Sequence, residues 1–168
     1  MPDLSPTARQ LIRSLDLQPH PEGGYYRETY RGEEQVVCQD GRTREACTAI
    51  HYMLCGNDYS AWHRIRSDEL WHYHAGSPVD VHRIVDGTIV TQRLGDPLRH
   101  PGAAFQAMVP AGLWFAAERL DLGDGVDFAL VGCTVAPAFR FSDFELADAT
   151  ALAGLASGHD ALLGRLTR

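Results

Sequence analysis

Apolar positions near the start of the chain fall at helical spacing. Ala8, Leu11, Ile12 and Leu15 share one face, and Ser5-Pro6 supplies an N-cap followed by proline at the first helical position. The pattern predicts a short amphipathic helix over 6–15, ended by Pro19 and Pro21. From Tyr25 to about Ala136 the period shortens to that of strands. Expected strands are Tyr25–Arg31, Ala46–Leu54, Ser60–Ile65, Glu69–His74, Val79–Val85, Thr88–Arg93, Phe105–Val109, Leu113–Ala117 and Val126–Val135. Asp86-Gly87 between two β-rich runs reads as a type I′ hairpin turn, because both residues tolerate positive φ. Helical spacing returns over 146–166, with Leu146, Leu152, Leu155, Leu162, Leu163 and Leu166 interrupted at Ser157-Gly158. Many short strands with frequent turns make an all-β sandwich or barrel. A helix at each end of such a middle makes one domain over 1–168, with the barrel at about 24–136 and helices packed on its outside.

Charge narrows the partners. The chain carries 15 Lys and Arg against 22 Asp and Glu, a formal charge of −7. The local basic run at Arg42 and Arg44 is too thin to track phosphates, so nucleic acid is not an expected partner. The polar start Met1-Pro2-Asp3-Leu4 is unlike an export signal, and no apolar run approaches the roughly 18 residues that span a bilayer. Cys38, Cys47, Cys55 and Cys133 contain no C-x-x-C spacing. The expectation is a cytoplasmic protein with reduced thiols and no membrane partner.

The densest chemistry lies between Trp62 and Gly76, where three histidines, a glutamate, two tryptophans and a tyrosine occur in 15 residues. Burying such a cluster is costly without hydrogen bonds or a ligand. Strand alternation sorts it by face: Ala61, His63 and Ile65 on one side of the first strand, and Glu69, Trp71 and Tyr73 on one side of the second. If Ala61 and Ile65 point inward, so does His63, and a turn near Ser67-Asp68 sets Glu69 opposite it. His72 and His74 take the other face, a spacing suited to a metal pair or to a strand at a dimer interface. The paired glycines of His20-Pro21-Glu22-Gly23-Gly24 suit a turn leading into Tyr25, from which Glu22, Tyr26 and Arg27 can meet a ligand at the barrel mouth.

The stretch from His63 resembles the first cupin motif, in which H-x-H is followed by a glutamate and then a glycine. His63, Glu69 and Gly76 match, while Ile65 stands at the second histidine. Pro110-Ala111-Gly112-Leu113-Trp114-Phe115 resembles the second motif, P-x-G-x-x-H, with Phe115 at its histidine. Leu17–Tyr30, Ser67–Gly76, Val109–Ala117 and Val131–Phe141 are similar to the cupin-five branch, whose function is unassigned; Ala138 stands where that branch usually has glycine. The resemblance implies a double-stranded β-helix (jelly roll), a homodimer and an open pocket at the barrel's centre. It implies no substrate.

These residues point to a small-molecule pocket. His63 is the expected base, Tyr73 the proton donor and Glu69 the group orienting the imidazole, in an epimerase- or isomerase-type transfer on a sugar-like or organic-acid metabolite. Trp71 and Trp114, with Glu22, Tyr26 and Arg27, are expected ligand contacts, although aromatic residues in strands serve equally as core. No cofactor is expected, since two motif histidines are replaced. A metal-dependent alternative would draw on His63, Glu69, His72 and His74. A non-catalytic metabolite-binding module is the third reading.

Overall fold

A computed structural model describes residues 4–168; the polar start Met1-Pro2-Asp3 lies outside them. In chain order the elements are α1 (Pro6–Ser14), β1 (Gln18–Pro19), β2 (Tyr25–Arg31), β3 (Gln35–Val37), β4 (Thr43–Glu45), β5 (Thr48–Cys55), β6 (Tyr59–Arg64), β7 (Asp68–Gly76), β8 (Val79–Val85), β9 (Thr88–Leu94), β10 (Gln106–Val109), β11 (Phe115–Arg119), β12 (Phe128–Ala136), β13 (Glu145–Leu146), α2 (Ala149–Leu152) and α3 (Asp160–Arg165).

Two antiparallel sheets carry the fold: a six-stranded sheet in the order β1-β2-β5-β12-β7-β10 and a five-stranded sheet in the order β13-β6-β11-β8-β9. Their inner faces supply a shared core that includes Tyr52, Leu54, Trp71, Val79, Val81, Leu94, Phe115 and Val131. Burying each large apolar side chain of this kind contributes about 1.5–3 kcal/mol. The β8–β9 hairpin closes on Asp86 and Gly87, both at positive φ, as the Asp-Gly pair predicts.

The outer faces are covered differently. Ser5 caps α1 by accepting the Ala8 N–H at 3.1 Å, and the helix packs Leu4, Ala8, Leu11 and Ile12 against Met53, Cys55 and Leu130 of the six-stranded sheet. The C-terminal segment lies on the five-stranded sheet, where Leu152, Ala156, Leu163 and Leu166 cover Trp62, Ile84, Trp114 and Ala116. The helix expected over 146–166 is corrected here. Leu146 belongs to β13, paired with His63, and only α2 and α3 are helical. Gly154 and Gly158, both at positive φ, break the helix between them. Among the described residues no helix is long and apolar enough to cross a membrane.

Candidate active site

The inner ends of the two sheets enclose an open hollow of about 720 Å³. Its chemistry begins with the turn that precedes β2. Gly23 has φ +115°, and a Cβ there would meet the Tyr59 carbonyl at 2.1 Å, so only glycine allows the turn to lie against β6. Three bonds fasten it. The Ala61 N–H donates to the Glu22 carbonyl at 2.9 Å, Tyr52 Oη donates to the Gly23 carbonyl at 2.8 Å, and Ser60 Oγ donates to Glu22 Oε1 at 2.8 Å. The turn thus carries a buried carboxylate into the barrel.

His63 meets that carboxylate. Its Nδ1 lies 2.7 Å from the Ala61 carbonyl, which can only accept, so Nδ1 carries a proton. Nε2 is 3.3 Å from Glu22 Oε2. A proton arriving on Nε2 therefore makes an imidazolium beside a fixed negative charge. Strand alternation places Trp62 on the opposite face, under the C-terminal segment, and leaves Ala61, His63 and Ile65 facing inward.

Glu69 reaches the same hollow from the other sheet. His63 is on β6 and Glu69 on β7, which do not pair with each other; the chain crosses between sheets in the intervening turn. Burial, and next the charge of Glu22, push the Glu69 carboxyl up to about 8. At neutral pH it is therefore an uncharged acid able to donate a proton. Cys133 and the Trp71 indole lie near enough to offset part of that rise, although the indole N–H makes no hydrogen bond of full geometry. Burial, then Glu69 and Glu22, raise the Cys133 thiol well above its usual range, so it is no nucleophile. Burial, with His63 nearby, keeps His20 below its ordinary value despite the opposing pull of Glu22.

The structure distributes the expected site residues unevenly. His63, Glu69, Glu22, Tyr26 and Arg27 all line the hollow. Tyr73 does not: its hydroxyl donates to the Gly76 carbonyl at 2.6 Å, two positions further along β7 from Trp71 and against the core. Trp71 is core as well, edge-on to Tyr52 and Phe115 with ring centroids 5.7 and 6.4 Å away. Trp114 faces away from the hollow because its neighbour Phe115 faces in; it packs under the C-terminal segment, with the Arg64 guanidinium 4.6 Å from its ring. The group beside the imidazole is Glu22 rather than Glu69. His72 and His74 lie on the outer face of the six-stranded sheet, remote from His63 and Glu69.

Several lining residues lay outside the sequence reading: His20, Tyr52, Cys133, Arg31, Phe139 and Phe141. Tyr52 was within reach of alternation, since Thr48, Ile50 and Tyr52 share the inward face of β5. Phe139 precedes, and Phe141 opens, a single 3₁₀ turn (Phe141–Asp143) too short to leave a periodicity to read. They form an aromatic strap at the mouth, with Phe141 stacked on His20 at 5.9 Å and Phe139 held by its N–H donating to Thr48 Oγ1 at 2.9 Å.

A metal centre in this hollow would need convergent donors. Ile65 lines the wall, and the Phe115 ring stands 4.0 Å from that of His63, so hydrocarbon fills both places where cupin motifs carry further histidines. Among the described residues no three His, Cys, Asp or Glu side chains converge as a metal-ligating group. The donor set of the hollow does not fit a metal centre.

Comparison with known proteins locates this geometry. The family described as Cupin superfamily (DUF985) matches residues 9–147. A hypothetical protein from Leishmania major superposes with a TM-score of 0.88 at 33% identity, covering 95% of this chain and 98% of that one. A structural-genomics protein from Shewanella oneidensis gives 0.83 at 34%, covering 96% and 97%. Oxalate decarboxylase from Bacillus subtilis shares the fold alone, with a TM-score of 0.52 at 14% identity over 77% of this chain and 29% of that one. No curated protein matches the chain in sequence.

Proposed function

The chain belongs to the Cupin_5 family of the cupin superfamily (DUF985), and from that premise we propose that its hollow binds a small sugar-like metabolite and moves a proton on it. The observation that carries this reading is the meeting of a buried imidazole and a buried carboxyl, from facing sheets, in one cavity of about 720 Å³. Paired titratable groups in such a cavity are characteristic of acid–base sites.

The roles follow from the local chemistry. Nε2 of His63 takes a proton from the carbon beside a substrate carbonyl, and Glu22 stabilises the imidazolium that results. Glu69 gives its proton to the carbonyl oxygen. The product of this half-reaction is an enediol; returning the proton to either carbon, or to the opposite face, completes an isomerisation or an epimerisation. Atoms and electrons balance with no redox partner.

Charge favours a sugar-like ligand over an organic acid. Each rim guanidinium is already engaged: Arg27 by Asp16, Arg31 by Glu28 at 2.8 Å and Arg140 by Glu45 at 3.0 Å. The floor holds the Glu22 carboxylate, which repels an anion and accepts from hydroxyls. Tyr26, Phe139 and Phe141 offer apolar faces for a ring to lie on.

Thermal-shift screening of aldoses, ketoses and sugar acids tests binding, because a ligand stabilises the fold by RT ln(1 + [L]/Kd). Ligands found in this way are then incubated in deuterium oxide and followed by NMR for loss of the proton next to the carbonyl. Exchange with the native chain and none with His63→Ala is the expected result. Equal binding and exchange by the variant would remove the assignment.

A further inference from the structure

The open face of the six-stranded sheet carries a second cluster of imidazoles, unconnected with the hollow. His51 on β5 sits directly across from Gly132 on β12, which in turn sits across from His72 on β7. His74 is the extra residue where the β12–β7 register shifts, since Val131 pairs with Tyr73 and Leu130 with Ala75. Bulges of this kind re-aim a side chain. Here the ring of His74 is laid back over β12, where a Cβ on Gly132 would come within 2.7 Å of its Nε2. Glycine is what leaves room for it. The ring then faces His51 edge-on, with centroids 5.8 Å apart.

The rings differ in what they have left to give. Both nitrogens of His72 are engaged, Nε2 with Thr134 Oγ1 at 3.2 Å and Nδ1 with Gln106 Nε2 at 3.0 Å. Among the described residues His51 and His74 have no such partner. Arg27, next across the sheet from His51, is turned to Asp16.

We propose that His51 and His74 form a bis-imidazole site on the outer face of the sheet, taking a borderline divalent cation of the copper, nickel and zinc class. Neutral imidazole suits these ions, whereas magnesium and calcium prefer oxygen. Among the described residues no third protein ligand converges, so water completes the coordination. The bulge re-aims His74, and Gly132, regularly paired within β12, leaves its ring room beside His51.

Calorimetric titration of the full chain with copper(II), zinc and magnesium salts, in a buffer that does not chelate, tests the site. Expected are a single site per chain, tighter for copper than for zinc as the Irving–Williams order requires, and nothing with magnesium. His51→Ala and His74→Ala should each weaken binding at least about tenfold, and Gly132→Ala, which keeps both donors but drives a methyl into the space of His74, should weaken it by a comparable factor. His72→Ala and His63→Ala should leave it unchanged. Copper broadening of histidine ring signals in the native chain gives a reading that needs no variant: His51 and His74 lose their signals first. Native affinity in His51→Ala and His74→Ala, loss of binding in His63→Ala, or first broadening at other histidines would each overturn the proposal. These outcomes are independent of turnover in the hollow.

Discussion

Nε2 of His63 and Oε2 of Glu22 stand 3.3 Å apart, although the two residues come from a strand and from a turn well upstream of it. The contact makes Glu22 a positioning residue for the imidazole, and it sets the charge that Glu69 experiences.

A first prediction concerns this pair. His63→Ala removes a buried imidazole that packs on Phe115 and donates through Nδ1 to the Ala61 carbonyl, and should cost about 1–3 kcal/mol in chemical denaturation. Glu22→Gln keeps an acceptor for Ser60 and removes the charge. Since the Glu22 charge is the second cause of the raised Glu69 value, Glu22→Gln should move the Glu69 titration downward. Carboxyl-carbon NMR reads that shift, and an unmoved Glu69 would separate the two groups.

The Glu69 carboxyl implies a definite pH dependence. Its ordinary value is 4.5 and its folded value about 8. Below 4.5 both folded and unfolded chains hold the proton and no penalty exists. Between 4.5 and 8 the unfolded chain releases a proton that the folded chain keeps, so stability falls as pH rises, and it levels off above 8. The full loss is at most about 5 kcal/mol. Urea midpoints measured from pH 5 to pH 9 should decline in the native chain and decline much less in Glu69→Gln. Equal slopes would contradict the assignment.

Much of this architecture is legible in the sequence, and the failures have physical causes. Strand alternation found His63 and Glu69 because each shares a face with apolar neighbours, and the Asp-Gly pair located the β8–β9 turn. Alternation also put Tyr73 on the correct face, yet it carries no information about depth along the barrel. Tyr73 therefore points inward, but against the core. Trp114 depends on where β11 begins, which the turn at Pro110-Ala111-Gly112 sets by long-range contact: the Gly112 N–H donates to the Ile65 carbonyl at 2.8 Å. Glu22 as partner of His63 is a tertiary fact, since nothing local ties the turn to β6.

The C-terminal helix α3 is held by a clamp that acid should open. Glu118 on β11 accepts from His82 Nε2 at 3.1 Å and bonds Arg165 of α3. The hydrogen bond with His82 is the first cause, and that with Arg165 a further one, holding the Glu118 carboxyl down at about 2. A depressed carboxylate stabilises fully above its ordinary value of 4.5, and the contribution is lost as pH falls from there through about 2. Arg165 is half-exposed, so the pair contributes only about 1 kcal/mol. Arg165→Ala should accordingly raise hydrogen exchange at the Leu163 amide at neutral pH, with the β-strand amides unaffected. Exchange at Leu163 equal to that of the native chain would show that apolar packing alone docks the helix.

The last prediction separates binding from folding. Phe141 is 51% exposed, so Phe141→Ala removes little buried surface, and the melting behaviour should change by less than about 0.5 kcal/mol. The same ring stacks on His20 at the mouth and lines the hollow, where it offers a face to a bound sugar ring. Taking the about 0.5–1.5 kcal/mol of an aromatic pair as the scale for a ring laid on this face, the affinity of a ligand found by thermal shift should drop by a factor of about 2–12. Phe141→Tyr keeps the face and should restore it. A ligand whose affinity ignores the alanine change sits deeper, between His63 and Glu69 alone. The strap of Phe139 and Phe141 would then be a wall of the fold, and the ring-stacking half of the binding argument would fall while the acid–base half stood.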